Sequence, residues 1–191
     1  GYTFGEIDTS RRIAFGTFDE TATGNTDTSQ FLLQINANYD ITQGALSFGP
    51  YLKLDILEGE IDGYTEVNGG GFEVTFDDQD ISSQLVTIGG QAQYALSYSW
   101  GILLPSARLE MKNEFNDSTD AISGRFAFDP TNSEFTITAD KIDSLWFLLG
   151  GGLSAVFPHG LSAYVDLESV QGLSNTSLMT YSYGGRWEVE F

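Results

Sequence analysis

The chain has 191 residues, with 8 basic against 27 acidic side chains and a formal net charge of −19. That excess of acid repels a phosphate backbone and excludes nucleic acid as a partner. The absence of cysteine excludes disulfides, thiolate metal sites and a cysteine nucleophile.

In chain order, GYTFGEI at the start reads as one strand and RRIAFGTF, 11–18, as a looser one. The text opens without an initiator Met, as a piece of a longer chain does. A polar, acidic connection is expected over 19–28. In SQFLLQINANYDI, Phe31, Leu33, Ile35, Ala37, Tyr39 and Ile41 share one face against Gln30, Gln34, Asn36, Asn38 and Asp40. ALSFGPYLKLDIL sets Leu46, Phe48, Pro50, Leu52, Leu54 and Ile56 against Ser47, Lys53 and Asp55. A second long polar connection is expected over 58–80. LVTIGGQAQYALSY and ILLPSARLEMKNEF repeat the alternation, the latter with Leu103, Ala107, Leu109 and Met111 against Arg108, Glu110, Lys112 and Glu114. The stretch 116–142 is a third long connection, with hairpins expected in ISGRFAF and EFTITA, and a further one in GGFEVTF at 70–76. Residues 143–157, 161–170 and 179–191 continue the pattern to the terminal YSYGGRWEVEF.

Eight or nine segments with period two argue for an all-β, antiparallel meander in one domain, 1–191. Short and long connections alternate along it. The longest apolar run, LWFLLGGGLSAVF, is too short for a spanning helix, which needs about 20 residues, and its three glycines disfavour helix. A membrane β-barrel needs only about 9–11 residues per strand, with one apolar face.

A soluble barrel alternates too, so the polar face has to decide. Arg12, Lys53, Arg108, Lys112 and Arg186 fall there, with Asp55, Glu110, Glu114, Asp166, Glu168, Glu188 and Glu190. Lysine-rich solvated faces are missing, and mixed Arg and acid suit a wet, paired lumen. Asp166, Glu168, Arg186 and Glu188 are expected to face one another on adjacent strands as paired charge. Tyr39, Phe48, Tyr98, Trp100, Phe157, Trp187 and Phe191 gather near the short-turn rim, as aromatic girdles do.

Chemistry is sparse. The chain contains no GxSxG elbow, and His159 is a lone histidine in a turn. FDDQD, 76–80, lacks the spacing of a calcium loop and reads as solvated acid. Glycine pairs and triplets such as Gly89–Gly90, Gly150–Gly152 and Gly184–Gly185 relieve crowding or permit curvature. No cofactor and no metal is expected.

GPYLKLDILEGEIDGYTEVNGGGFEVTFDDQDISSQLVTIGGQAQYAL, PSARLEMKNEF, FLLGGGLSAVFPHGLSAYVDLESV and YSYGGRWEVEF together resemble the C-terminal translocator of type V autotransporters, over about 28–191. The resemblance implies a twelve-stranded transmembrane β-barrel in a Gram-negative outer membrane that anchors and translocates an N-terminal passenger past a helical linker. The first three or four strands, the linker and the passenger are then expected outside these residues. It implies membrane lipid and the barrel-assembly machinery as partners, with Phe191, Val189, Trp187 and Tyr183 as the assembly signal. It also places the short turns on the periplasmic side. A small porin-like channel is the alternative. In either case the chain itself is expected to carry no enzyme activity.

Overall fold

A sequence whose polarity alternates residue by residue can separate its two halves only as an extended strand, where successive side chains point to opposite sides. The computed structural model describes residues 1–116, 121–138, 143–174 and 176–188. Its strands are β1 (Tyr2–Phe15), β2 (Phe18–Asn38), β3 (Ile41–Gln43), β4 (Leu46–Ile61), β5 (Tyr64–Thr65), β6 (Val74–Phe76) and β7 (Gln79–Tyr94). They continue with β8 (Leu96–Tyr98), β9 (Gly101–Glu114), β10 (Ile122–Phe126), β11 (Glu134–Ile137), β12 (Leu145–Val156), β13 (Leu161–Gln171) and β14 (Leu178–Trp187). The one helical element among the described residues is a single 3-10 turn at Pro158–Gly160. None of them forms a helix long and apolar enough to cross a membrane.

The main sheet follows the chain as β1-β2-β4-β7-β9-β12-β13-β14. Its ladders are antiparallel. This is the up-and-down meander that the period requires. β3 folds back on β4 and β8 on β9, which makes the turns after β2 and β7 tight hairpins. A second sheet runs β11-β10-β6-β5, so the hairpins expected in the long connections are present and pair with one another.

The expectation for the N-terminal part needs correction. Residues 19–28 are not a loop: they belong to β2 and continue its ladder with β1 from Asp19 opposite Ala14 to Thr28 opposite Gly5. The chain reverses two residues after β1, at Gly16–Thr17, where Gly16 takes a φ of 59° that favours glycine. RRIAFGTF is thus the tip of a hairpin rather than a strand of its own. The upper half of β2, TATGNTDTSQ, is polar on both faces, so its period had no contrast to display.

The chain divides into two compact units. The first comprises the described residues of Gly1–Leu33, Asp55–Gln84 and Asn116–Ile142: the β1–β2 hairpin and the small sheet. Ala22, Thr26, Glu66, Glu73 and Val74 are buried there. The second comprises the described residues of Gln34–Leu54, Leu85–Phe115 and Asp143–Phe191. Its buried residues are Tyr51, Thr87, Glu110, Glu114 and Leu148, so carboxylates take much of the place that a soluble core gives to aliphatics.

Tight turns leave little room in the second unit. Gly101, with a φ of 150°, starts β9 so close to the end of β12 that a Cβ would overlap the Val156 carbonyl. Gly101→Ala should lower stability by about 1–3 kcal/mol through backbone strain. The measurement is the temperature at which the lipid-reconstituted protein loses its heat-modifiable gel mobility.

Candidate functional site

In the second unit the two faces of the strands differ in what they expose. On β9, Ala107, Leu109 and Met111 are exposed, whereas Arg108, Glu110, Lys112 and Glu114 are covered or half-covered. β12 alternates in the same way, with Phe147, Leu149 and Leu153 exposed and Leu148 and Gly150 buried. The exposed apolar side chains are large: Leu109 is 57 % exposed, Leu149 59 % and Tyr183 77 %, against 3 % for Glu110 and 1 % for Thr87. Soluble proteins rarely expose continuous apolar surface of this kind. Charge is sheltered and hydrocarbon is presented.

The charged face is organised over glycines. Gly150 is the Cα partner of both Arg108 on β9 and Glu168 on β13. The two side chains cross above it and form an ion pair. A Cβ on Gly150 would sit 2.8 Å from Arg108 Cγ. Gly152 is likewise flanked by Ser106 and Asp166, and its missing Cβ leaves the place that the Asp166 carboxylate occupies. Gly89, opposite Glu110, lies beneath the ring of Tyr51 from the neighbouring β4. Across it the Tyr51 hydroxyl donates to Glu110 Oε1 at 2.5 Å. Gly184 makes the same room for the ring of Tyr164.

Glu110 is the hub. Its carboxylate also faces Lys112 Nζ at 3.2 Å and Lys53 Nζ at 3.9 Å, and the Lys53 ammonium stands 5.1 Å from the centre of the Tyr51 ring. A buried carboxylate persists only when its charge and lone pairs are answered, and here two ammonium groups and a phenol answer them. A cavity of about 310 Å³ remains beside this row, lined in part by Gln91, Ser106, Arg108, Asp166 and Glu168.

The expected charged set therefore assembles in part. Lys53, Arg108, Glu110, Lys112, Asp166 and Glu168 come together on one face. Glu114 is buried on that face, and Asp55 lies in the first unit. Arg186 does not face Asp166 and Glu168: its register partner is Ser162, and it pairs with Glu188 at 3.3 Å beyond the end of β14. Arg12 belongs to the other face of β1. Its register groups it with Tyr2, Phe4 and Phe31, and it holds Asp19 at 2.8 Å near the hairpin tip. Tyr51 was missed because a tyrosine at a polar-face position resembles a rim aromatic. The glycine on the strand between it and its partner was the available signal.

On the apolar side, Tyr98 stacks on Trp100 at 5.3 Å and Trp100 meets Phe157 at 5.4 Å, which joins the aromatics of two short turns. Tyr183 and Trp187 lie exposed on the same strand, β14. Val189 and Phe191 fall outside the described residues. Among the described residues no group of His, Asp and Glu is arranged to hold a metal ion.

The sequence model of the family described as "Autotransporter beta-domain" matches residues 1–168. The "Uncharacterized protein in trpE-trpG intergenic region" of Pseudomonas putida is 27 % identical over 137 residues, covering 69 % of this chain and 22 % of that protein. "Esterase EstA" of Pseudomonas aeruginosa and its namesake of Pseudomonas putida are each 27 % identical over 119 residues, covering 61 % of this chain and 18 % of theirs. The chain thus spans about a fifth of the length of these relatives.

The glycine-spanned contacts make a coupled prediction. Tyr51→Phe keeps the ring over Gly89 but strips a buried carboxylate of a donor, at a cost of about 1–3 kcal/mol. Gly89→Ala drives a Cβ into the ring and should cost about as much or more. Joined to Tyr51→Ala, the Gly89→Ala cost should shrink, since the clash has gone. Urea midpoints of the parent, Tyr51→Phe, Gly89→Ala, Tyr51→Ala and the double variant in lipid vesicles measure these costs and the coupling.

Proposed function

The chain belongs to the autotransporter β-domain family, the outer-membrane β-barrels that translocate a passenger to the surface of Gram-negative bacteria, and on that premise we propose how its parts serve that task. Family membership decides between translocator and porin-like channel in favour of the translocator. The eight long strands are part of a twelve-stranded barrel. Support for this comes from the strand order, which leaves β1 and β14 with one neighbour each among the described residues. A sheet in lipid must close its edges, because an unpaired backbone group there costs several kcal/mol.

The observation that carries the reading is the inverted polarity of the strands. Leu109, Met111, Leu149, Leu153, Val165 and Leu167 face hydrocarbon, where their exposure is no liability. Lys53, Asp55, Arg108, Glu110, Lys112, Glu114, Asp166, Glu168, Arg186 and Glu188 line the lumen. Arg12 is left out of that set. The Tyr98–Trp100–Phe157 group sits at the headgroups of the short-turn rim, where amphipathic rings are favoured. Catalysis, where the whole protein has any, resides in the passenger, as the esterase named among the relatives suggests. This chain takes no cofactor and turns over no substrate.

The C-terminal segment is also the assembly signal, read by the barrel-assembly machinery from Tyr183, Trp187, Val189 and Phe191, which recur in the sequence on a period of two. Deleting Phe191 from the complete protein should abolish assembly. Losing one lipid-facing Phe contact, by contrast, costs only about 1.5–3 kcal/mol. Leu109→Ala removes comparable apolar area outside the signal and should still assemble. The comparison is read as heat-modifiable mobility of outer-membrane fractions. Equal assembly of the two variants would reduce Phe191 to one more lipid contact.

A further inference from the structure

In the first unit, β2 bonds the β5–β6 hairpin at a single bridge, where Thr23 and Val67 exchange N–H···O bonds of 2.9 and 2.8 Å. Glu66, the neighbour of Val67, is 4 % exposed. Arg11 on β1 is the Cα partner of Ala22 and reaches past it to Glu66, donating from Nε at 3.0 Å and from a terminal nitrogen at 2.5 Å. That nitrogen donates again to the Phe72 carbonyl at 2.8 Å, and Glu66 accepts the Val74 N–H at 2.9 Å. At the hairpin tip, buried Glu73 accepts the N–H groups of Gly69 and Gly71 at 2.8 and 2.9 Å. The Phe72 ring meets Phe15 and Phe18 edge-on at 5.4 Å. Ala22 beneath this hairpin is 0 % exposed.

The tip sequence Asn68–Gly69–Gly70–Gly71 carries no apolar side chain, and its three glycines each give up more backbone entropy on ordering than another residue would. Beyond the Thr23–Val67 bridge and the Phe72 ring contacts, what holds it down is electrostatic. Glu66 and Glu73 are two buried carboxylates of one hairpin, and Arg11 is the cation that both sense. Burial pushes the Glu66 carboxyl up, but the Arg11 hydrogen bonds and the Val74 amide outweigh it and hold the group below its ordinary value. Without the guanidinium, buried Glu66 would keep only the Val74 amide for its charge, and its move to water would take the hairpin with it.

We propose that residues 64–76 are a strap, closed over Ala22 by Arg11 and opened when the Arg11–Glu66 pair is broken. The strap's position outside the cell rests on the translocator reading above and on the orientation the family resemblance implies, with the short turns on the periplasmic side. Because residues 1–191 contain no cysteine, the strap can be tested by thiol labelling in intact cells that express the complete protein. Labelling is read on the peptide that carries each introduced cysteine.

Ala22→Cys should react with a membrane-impermeant maleimide at least about tenfold more slowly than Ala127→Cys, which lies exposed in the same unit. Adding Arg11→Ala, or the isosteric Glu66→Gln, should raise the Ala22→Cys rate by about tenfold or more. Adding Arg12→Ala, which removes the solvent-exposed pair with Asp19, should leave it unchanged. An Ala22→Cys rate that ignores both Arg11→Ala and Glu66→Gln, or that already equals the Ala127→Cys rate in the parent, overturns the strap. Labelling of Ala127→Cys only after the cells are permeabilised would overturn the orientation instead. The strap would then be judged by the same rates in the detergent-extracted barrel.

Discussion

A charged pair can form across an intervening strand only where that strand carries a small side chain or none on that face. Arg108 and Glu168 meet over Gly150, and Tyr51 and Glu110 meet over Gly89. Adjacent strands stand about 4.8 Å apart, so next-nearest strands are close to 10 Å apart and a Cβ between them blocks the line. The charged face depends on this gap. Filled, it would force Arg108 or Tyr51 off the wall and leave Glu168 and Glu110 short of partners.

The apolar face follows from the same register. A slip of one residue would exchange the two faces of a strand, burying Leu109 and Met111 among lysines and carboxylates and turning Glu110 outward. Each glycine-spanned bridge ties three neighbouring strands at one height, so a slip in any of them separates partners in the other two. The pairing of β9 with β12 and of β12 with β13 is fixed in this way by side chains as well as by backbone hydrogen bonds. The first unit uses a different device. Arg11 also reaches across a small residue, Ala22, but its partner comes from a hairpin laid along β2 and not from a strand of the main sheet.

Much of this was legible in the sequence. From Phe31 to Trp187 the contrast between Leu, Ile or aromatic positions and Lys, Asp or Gln positions is strong, because one environment is hydrocarbon and the other is not. Those strands and their short turns lie where the period puts them. The contrast vanishes over Thr21–Thr28, where both faces of β2 are polar, so the strand there reads as a loop. Charge could be assigned to a face but not to a partner. Arg186 looked paired with Asp166 until register put it opposite Ser162. Arg11 and Glu66 lie 55 positions apart, with nothing local to join them. The local pattern does not separate Arg11 from Arg12 either, since a strand with charge on both faces gives no way to choose between neighbours.

The central claim is that the strands turn their apolar face to lipid and their charged face to water. Spin labels placed singly at 106 to 112 on β9 of the complete protein in lipid bilayers test it most directly. Collision rates with dissolved oxygen should peak at 107, 109 and 111, and those with a polar nickel complex at 106, 108, 110 and 112. Rates without a period of two, or with the two reagents exchanged, would contradict the account.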